Sequence, residues 1–231
     1  MLSETIRKEL TVGEIVTADF RAAAIFRNAG IDFCCGGKKS LEQVCLEKTL
    51  ETSMLIEQLK NLEQLEERTY NFNEWSLDFL CDYIVNTHHK YVIKTLPDLV
   101  FYTQKIAQVH GANHPELNEA ASLIIQVDHE LRQHLKNEEE VLFPAIKKLA
   151  EFNLQEDRQT INTEITRMIG EHDFAGGTMD YIHTITSGYK LPDDACQTYK
   201  VAFRLLEQFE DDLHIHVHLE NNILYPKALK L

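Results

Sequence analysis

The chain has 231 residues, 44% of them apolar and 26% charged, with nine glycines and five prolines, which excludes a disordered polymer and allows one or two packed domains. Its 23 basic and 37 acidic side chains leave a formal charge of −14, which repels nucleic acid and anionic membrane and excludes both as partners. The first twenty residues hold no apolar h-region and no later run approaches the roughly 20 apolar residues of a membrane span, so the expected location is the cytoplasm.

Apolar residues recur at i, i+3, i+4 spacing and no strict alternation persists, so the chain reads as nearly all helix. Thr11 can cap a turn through Val16, and a second helix from about Ala18 ends at Gly30. Asp32-Phe33-Cys34-Cys35-Gly36-Gly37 then makes a loop. Ser40 and Gln43 form a capping-box pattern that opens a third helix through Lys48, and a fourth runs from about Ser53 to Glu67. The pattern breaks between Thr69 and Asn73 and the helices lengthen from Trp75, which places a boundary near residue 70. Residues 1–70 are thus a small helical domain and 71–231 a larger one that holds all eleven histidines. Segments 110–116, 151–157 and 186–194 read as loops between its long helices. Five cysteines, an odd number, fit a reducing compartment, and Cys45, Cys81 and Cys196 fall in helical patterns where they would pack as small apolar residues.

An internal repeat selects among the histidines. His134-Leu-Lys-Asn-Glu138-Glu-Glu-Val-Leu-Phe-Pro144 and His216-Val-His-Leu-Glu220-Asn-Asn-Ile-Leu-Tyr-Pro226 both read H-x-x-x-E-x-x-[VI]-L-[FY]-P at an offset of 82 residues. Each copy is long enough to be a two-helix hairpin, and the two together predict an up-down four-helix bundle. On a helix, His and Glu four apart share a face, so two such turns can converge on a metal pair. His88 and His172 precede the two motifs by 46 and 44 residues and add a histidine on the first helix of each hairpin. His214 and His218 align with Arg132 and Lys136 and read as solvated surface residues. His89, His129 and His183 have no repeat partner and read the same way.

Imidazole with carboxylate and no thiolate suits iron or manganese, with zinc as the main competitor. No Glu has a His three positions later, which argues against a ferritin-type site, and His129-Glu130 is followed by His134, one residue too far for a zincin motif. Glu130 precedes His134 by one turn, and Glu171 and Asp173 flank His172, where carboxylates can take a ligand's other ring N–H.

These features resemble the hemerythrin-like di-iron domain, and the whole chain resembles the repair-of-iron-centres (ScdA/YtfE) family of iron–sulfur cluster repair proteins. Asp32-Phe33-Cys34-Cys35-Gly36-Gly37-Lys38 is similar to the signature of that family's leading domain, and Glu171-His172-Asp173 and the two His-x-x-x-Glu elements are similar to its iron-binding segments. The resemblance implies a centre of two iron ions, oxo- and carboxylate-bridged, with ligands at His88, His134, Glu138, His172, His216 and Glu220, the two glutamates bridging. It also suggests His110, with His114 as substitute. Because His88 and His110 are about 33 Å apart along a straight helix, this requires the chain to turn back, with Leu96-Pro97 as the place.

The implied function is repair of iron–sulfur clusters damaged by oxidative or nitrosative stress, by iron donation or by nitric oxide processing, the latter being the one activity that would make the chain an enzyme. The implied partners are damaged iron–sulfur proteins and small molecules such as NO or oxygen, and a homodimer stays open. The alternative is a hemerythrin-like sensor or scavenger that binds oxygen or NO and repairs nothing. Cys34 and Cys35 favour repair, as redox or transfer thiols that a sensor bundle does not need.

Overall fold

The computed structural model describes residues 6–62, 71–152 and 155–231. The expected end of the fourth helix at Glu67 and the boundary near 70 lie outside the described residues. Among the described residues there is no strand, only helices and an isolated bridge between Thr11 and Ser40. The chain divides into two compact units, one of residues 1–80 with 217–231 and one of residues 81–216, so the C-terminal fifteen residues belong with the N-terminal helices.

In the first unit, α1 (Val12–Ala18) begins with a complete capping box: the Thr11 hydroxyl accepts from the Glu14 N–H and the Glu14 carboxylate takes the Thr11 N–H. Helix α2 (Ala22–Asn28) starts later than the pattern suggests, and Gly30 follows it at φ 64°, a left-handed conformation suited to glycine. Helix α3 (Leu41–Lys48) is capped by Ser40, but the Gln43 amide donates forward to Glu47, so only half of that box is made. Helix α4 (Thr52–Asn61) completes the set. Val12, Ile15, Phe26, Leu41 and Leu59 are buried among these helices, as are Ile223, Leu224 and Tyr225 of the C-terminal segment.

That segment is pinned by Asn222, whose amide donates to the carbonyls of Phe33 (3.2 Å) and Cys34 (3.3 Å). Gly13 and Gly37 make room for it. A Cβ on either would lie within 2.8 Å of the Asn222 side chain.

The second unit is the four-helix bundle. Its first rod comprises α5 (Leu77–Ile84), whose first four residues fall in the first unit, a π-helical segment Val85–His89 and α6 (Lys90–His110). The second comprises α7 (Glu116–Asn137), a π segment Glu138–Leu142 and α8 (Phe143–Phe152). The third is α9 (Gln155–Ile185), and the fourth is α10 (Gln197–His218), which continues through a π segment Leu219–Leu224 into α11 (Tyr225–Ala228) in the first unit. Helix α6 packs on α7, and α9 on both α7 and α8. Short links between successive rods give the up-down order.

Pro97 does not turn the chain back. It lies inside α6, and the carbonyl it leaves without an N–H donor belongs to Ile93, on the exposed side where solvent can satisfy it. The wide turns have a cause in the repeat. Phe143 and Tyr225 donate to carbonyls five residues back, on Glu138 and Glu220, and each is followed by a proline that cannot continue the ordinary i→i−4 ladder. Lys90 donates to Val85 in the same way without a proline.

Candidate metal centre

Four imidazoles and a carboxylate meet in the core of the bundle, one from each rod except the second, which supplies two. His89, Glu138 and His216 place ligand atoms within 4.8 Å of one another, and so do His134, Glu138 and His172. The histidines are at most 2% exposed and Glu138 is 0% exposed. Glu138 is common to both groups: its Oε2 lies 3.3 Å from His89 Nε2 and 3.2 Å from His134 Nε2, and His172 Nε2 lies 3.1 Å from His134 Nε2. The His89 and His216 rings are 5.0 Å apart. Glu220, one turn after His216 on the same helix, is also fully buried.

Three carboxylates outside the cluster set the ring orientations. Glu171 accepts from His134 Nδ1 at 2.7 Å, Glu139 from His89 Nδ1 at 2.9 Å and Asp212 from His88 Nδ1 at 3.0 Å. The bond to His134 holds the Glu171 carboxyl below its usual range. With Nδ1–H committed in this way, the Nε2 lone pairs of His89 and His134 face the Glu138 oxygen. Acceptors facing acceptors in an apolar core are favourable only around a cation or shared protons. Nitrogen and oxygen donors without sulfur fit iron or manganese.

Several expectations need correction. His89, read as a surface residue, is in the cluster. Its neighbour His88 is buried with its ring stacked on His216 at 5.6 Å, but it belongs to neither donor group. The π segment is what carries both residues into the core. A signal was present, since His89 precedes His134 by 45 residues, nearer than His88 to the 44 between His172 and His216.

His110 is not at the cluster. Helix α6 runs straight, so His110 stands about 31 Å from His89 and places its Nε2 3.2 Å from Cys196 Sγ. Its substitute His114 sits at the same end and pairs with Asp194 at 2.9 Å. Cys196 is exposed, not packed, and His110 brings its thiol down to about 7.

His218 is fully buried, not solvated, because the rings of Phe20 and Phe33 cover it, whereas Lys136 is exposed. Burial pushes its pKa down to about 4. His214 is half-buried and lies 3.8 Å from Asp180 of α9. Glu130 and Asp173 are exposed on outer faces of their helices, and Glu171 serves His134 instead of its neighbour His172. His129 and His183 are exposed.

In the small unit, Asp32 organises the cysteine loop by accepting from the N–H groups of Cys34, Cys35 and Gly36 at 2.7–3.0 Å. The two sulfurs are 3.8 Å apart as free thiols. The hydrogen bond to Cys35 and burial both push the Cys34 thiol well up. Asp32, Cys34 and Cys35 form a further group of candidate ligands.

Comparison with known proteins places both parts of the chain. Residues 8–63 match the ScdA_N model, described as a domain of unknown function, and residues 82–228 match the hemerythrin HHE cation binding domain. The iron-sulfur cluster repair protein ScdA of Staphylococcus epidermidis is 33% identical over 225 residues, covering 96% of this chain and 99% of its own. The repair proteins YtfE of Musicola paradisiaca and Edwardsiella ictaluri are 33% and 32% identical, each over 96% of this chain and 97% of their own.

Proposed function

Because the chain belongs to the ScdA/YtfE family of iron–sulfur cluster repair proteins, with a hemerythrin HHE domain over most of its length, we propose that its buried histidine–glutamate cluster holds two iron ions used to restore damaged iron–sulfur clusters. The observation that carries this reading is the sharing of Glu138 between two donor groups, one with His89 and His216 and one with His134 and His172. Glu220, buried one turn beyond His216, would supply a second carboxylate to such a centre. When bound, the iron pair supplies transferable metal and one-electron chemistry toward small ligands such as NO or oxygen.

The chain's own residues define what the centre can do. Glu138 and Glu220 offset the cationic charge in a core that excludes water. Glu171 and Glu139 keep His134 and His89 in the tautomer whose Nε2 donates to a metal. Four imidazoles and two carboxylates leave a six-coordinate pair short of protein ligands, so an exchangeable ligand has a place to bind. The proposed targets are damaged iron–sulfur proteins, with Cys34 and Cys35 as the thiols that engage metal or target.

Metal analysis and an absorption spectrum of the purified protein, followed by reactivation of a damaged iron–sulfur enzyme, test this. Two irons per chain with restored activity is the expected result. Reversible NO or oxygen binding without reactivation would replace repair by sensing, and absence of iron would overturn the reading.

A further inference from the structure

A second set of metal-type donors lies on the flank of the bundle. Helix α9 presents Asp180 and His183, three residues apart, and α10 presents Glu210 and His214, four apart, so each pair occupies one face of its helix and the two faces meet. His183 Nδ1 is 3.0 Å from Glu210 Oε2, His214 Nε2 is 3.8 Å from Asp180 Oδ1, and Asp180, Glu210 and His214 place ligand atoms within 4.8 Å of one another. Bonds of about 2.0–2.2 Å to one ion separate its donors by roughly 3–4 Å, which these spacings approach.

Glu210 gives an independent reason to expect a cation. Its side chain is only 8% exposed, yet among the described residues its ion-pair partner is the imidazole of His183, not a lysine or arginine. A carboxylate withdrawn from water without a fixed positive charge is costly. Burial and the adjacent Glu210 charge also push the Tyr189 phenol far up, so Tyr189 stays protonated and adds no negative charge of its own. Asp180 and His183 are more than half exposed, which leaves an ion a route in from solvent. His214 precedes His216 by two residues, or about 200° around α10, so this donor set faces away from the central cluster.

We propose that Asp180, Glu210 and His214, with His183 hydrogen-bonded to Glu210 from beside the donor group, form a separate surface site for a divalent transition-metal ion of the zinc class, bridging α9 to α10. The bound ion links the third and fourth rods and fixes the face of α10 opposite the histidine–glutamate cluster.

Titrating the iron-loaded full chain with zinc chloride by calorimetry, with metal analysis of each sample, tests the site. The expected result is saturable binding of one zinc per chain with iron content unchanged, weakened at least tenfold in both Glu210→Gln and Asp180→Asn. The exposed Asp180 position decides the matter if Glu210→Gln fails to fold. No saturable zinc binding, zinc uptake only as iron leaves, or undiminished affinity in Asp180→Asn would overturn the proposal.

Discussion

Replacing Glu138 by glutamine should stabilise the metal-free protein and destabilise the iron-loaded one. The side chain is fully buried, with its Oε2 3.2–3.3 Å from two imidazole nitrogens whose other ring positions are held by carboxylates. Without metal the wild-type chain keeps a carboxylate in an apolar core, and a neutral isostere relieves a cost on the order of 1–4 kcal/mol. At about 2–4 °C per kcal/mol for a chain of this size, a middle value near 2 kcal/mol raises the apoprotein's Tm by roughly 4–8 °C. With metal the sign reverses. Free iron a thousandfold above its dissociation constant stabilises the wild type by about 4 kcal/mol per ion, or roughly 8–16 °C, and the variant forfeits most of this because Glu138 belongs to both donor groups. The assay is calorimetric unfolding of both proteins, chelated and iron-loaded, with iron counted in each sample. Two melting curves that fail to cross, with the variant less stable in both states, would show that the carboxylate is not strained in the apoprotein. A variant that kept two irons would show that Glu138 bridges nothing.

Other outcomes follow from the same geometry. His89→Ala should halve bound iron or worse, whereas His110→Ala should leave it unchanged, because His110 stands at the opposite end of α6; metal analysis of the two variants compares them directly. Glu171→Ala should weaken iron binding about 10- to 100-fold by freeing the His134 ring, which competition with a chelator measures. The thiolate of Cys196 should form as pH rises through about 7 and not near the usual 9, so alkylation at this exposed position should already be fast at neutral pH, and His110→Gln should move the profile upward. The Cys34→Ser/Cys35→Ser double variant should keep its iron and its spectrum but reactivate a damaged iron–sulfur enzyme more slowly; repair at the wild-type rate would separate the small unit's role from its thiols.

The helical class was legible because a 3.6-residue apolar period persists along the chain, and the caps at Thr11 and Ser40 announced two helices through side chains that bond only their own first turn. The repeat carried the reasoning to His134, Glu138, His216 and Glu220, since an i, i+4 pair is a local relation that any helix realises. What escaped depends on neighbours far away in sequence. The choice between His88 and His89 turns on a π segment that no proline marks. His218 looked solvated because its repeat partner Lys136 is, but Phe20 and Phe33 cover it in the folded chain. Pro97 suggested a turn, but it lies with Ile93 on the exposed face of α6, and the helix passes through it. The division of the chain after residue 216, which assigns the end of the last rod to the N-terminal helices, has no local signature at all.

The wide turns at 85–89, 138–142 and 219–224 each hold one residue more than an α-turn would. Chain length is therefore as much a part of the centre as ligand identity. Five residues at the π pitch turn through nearly the same angle as four at the α pitch, so deleting a single residue from Glu138–Leu142 would leave Phe143, Ile146 and Leu149 on the buried face but re-aim the side chains inside the turn, while every ligand letter stayed in place. Point substitutions would not expose this dependence. The prolines that close two of these turns act as length gauges, since Pro144 and Pro226 are compatible with the widened register and oppose its collapse.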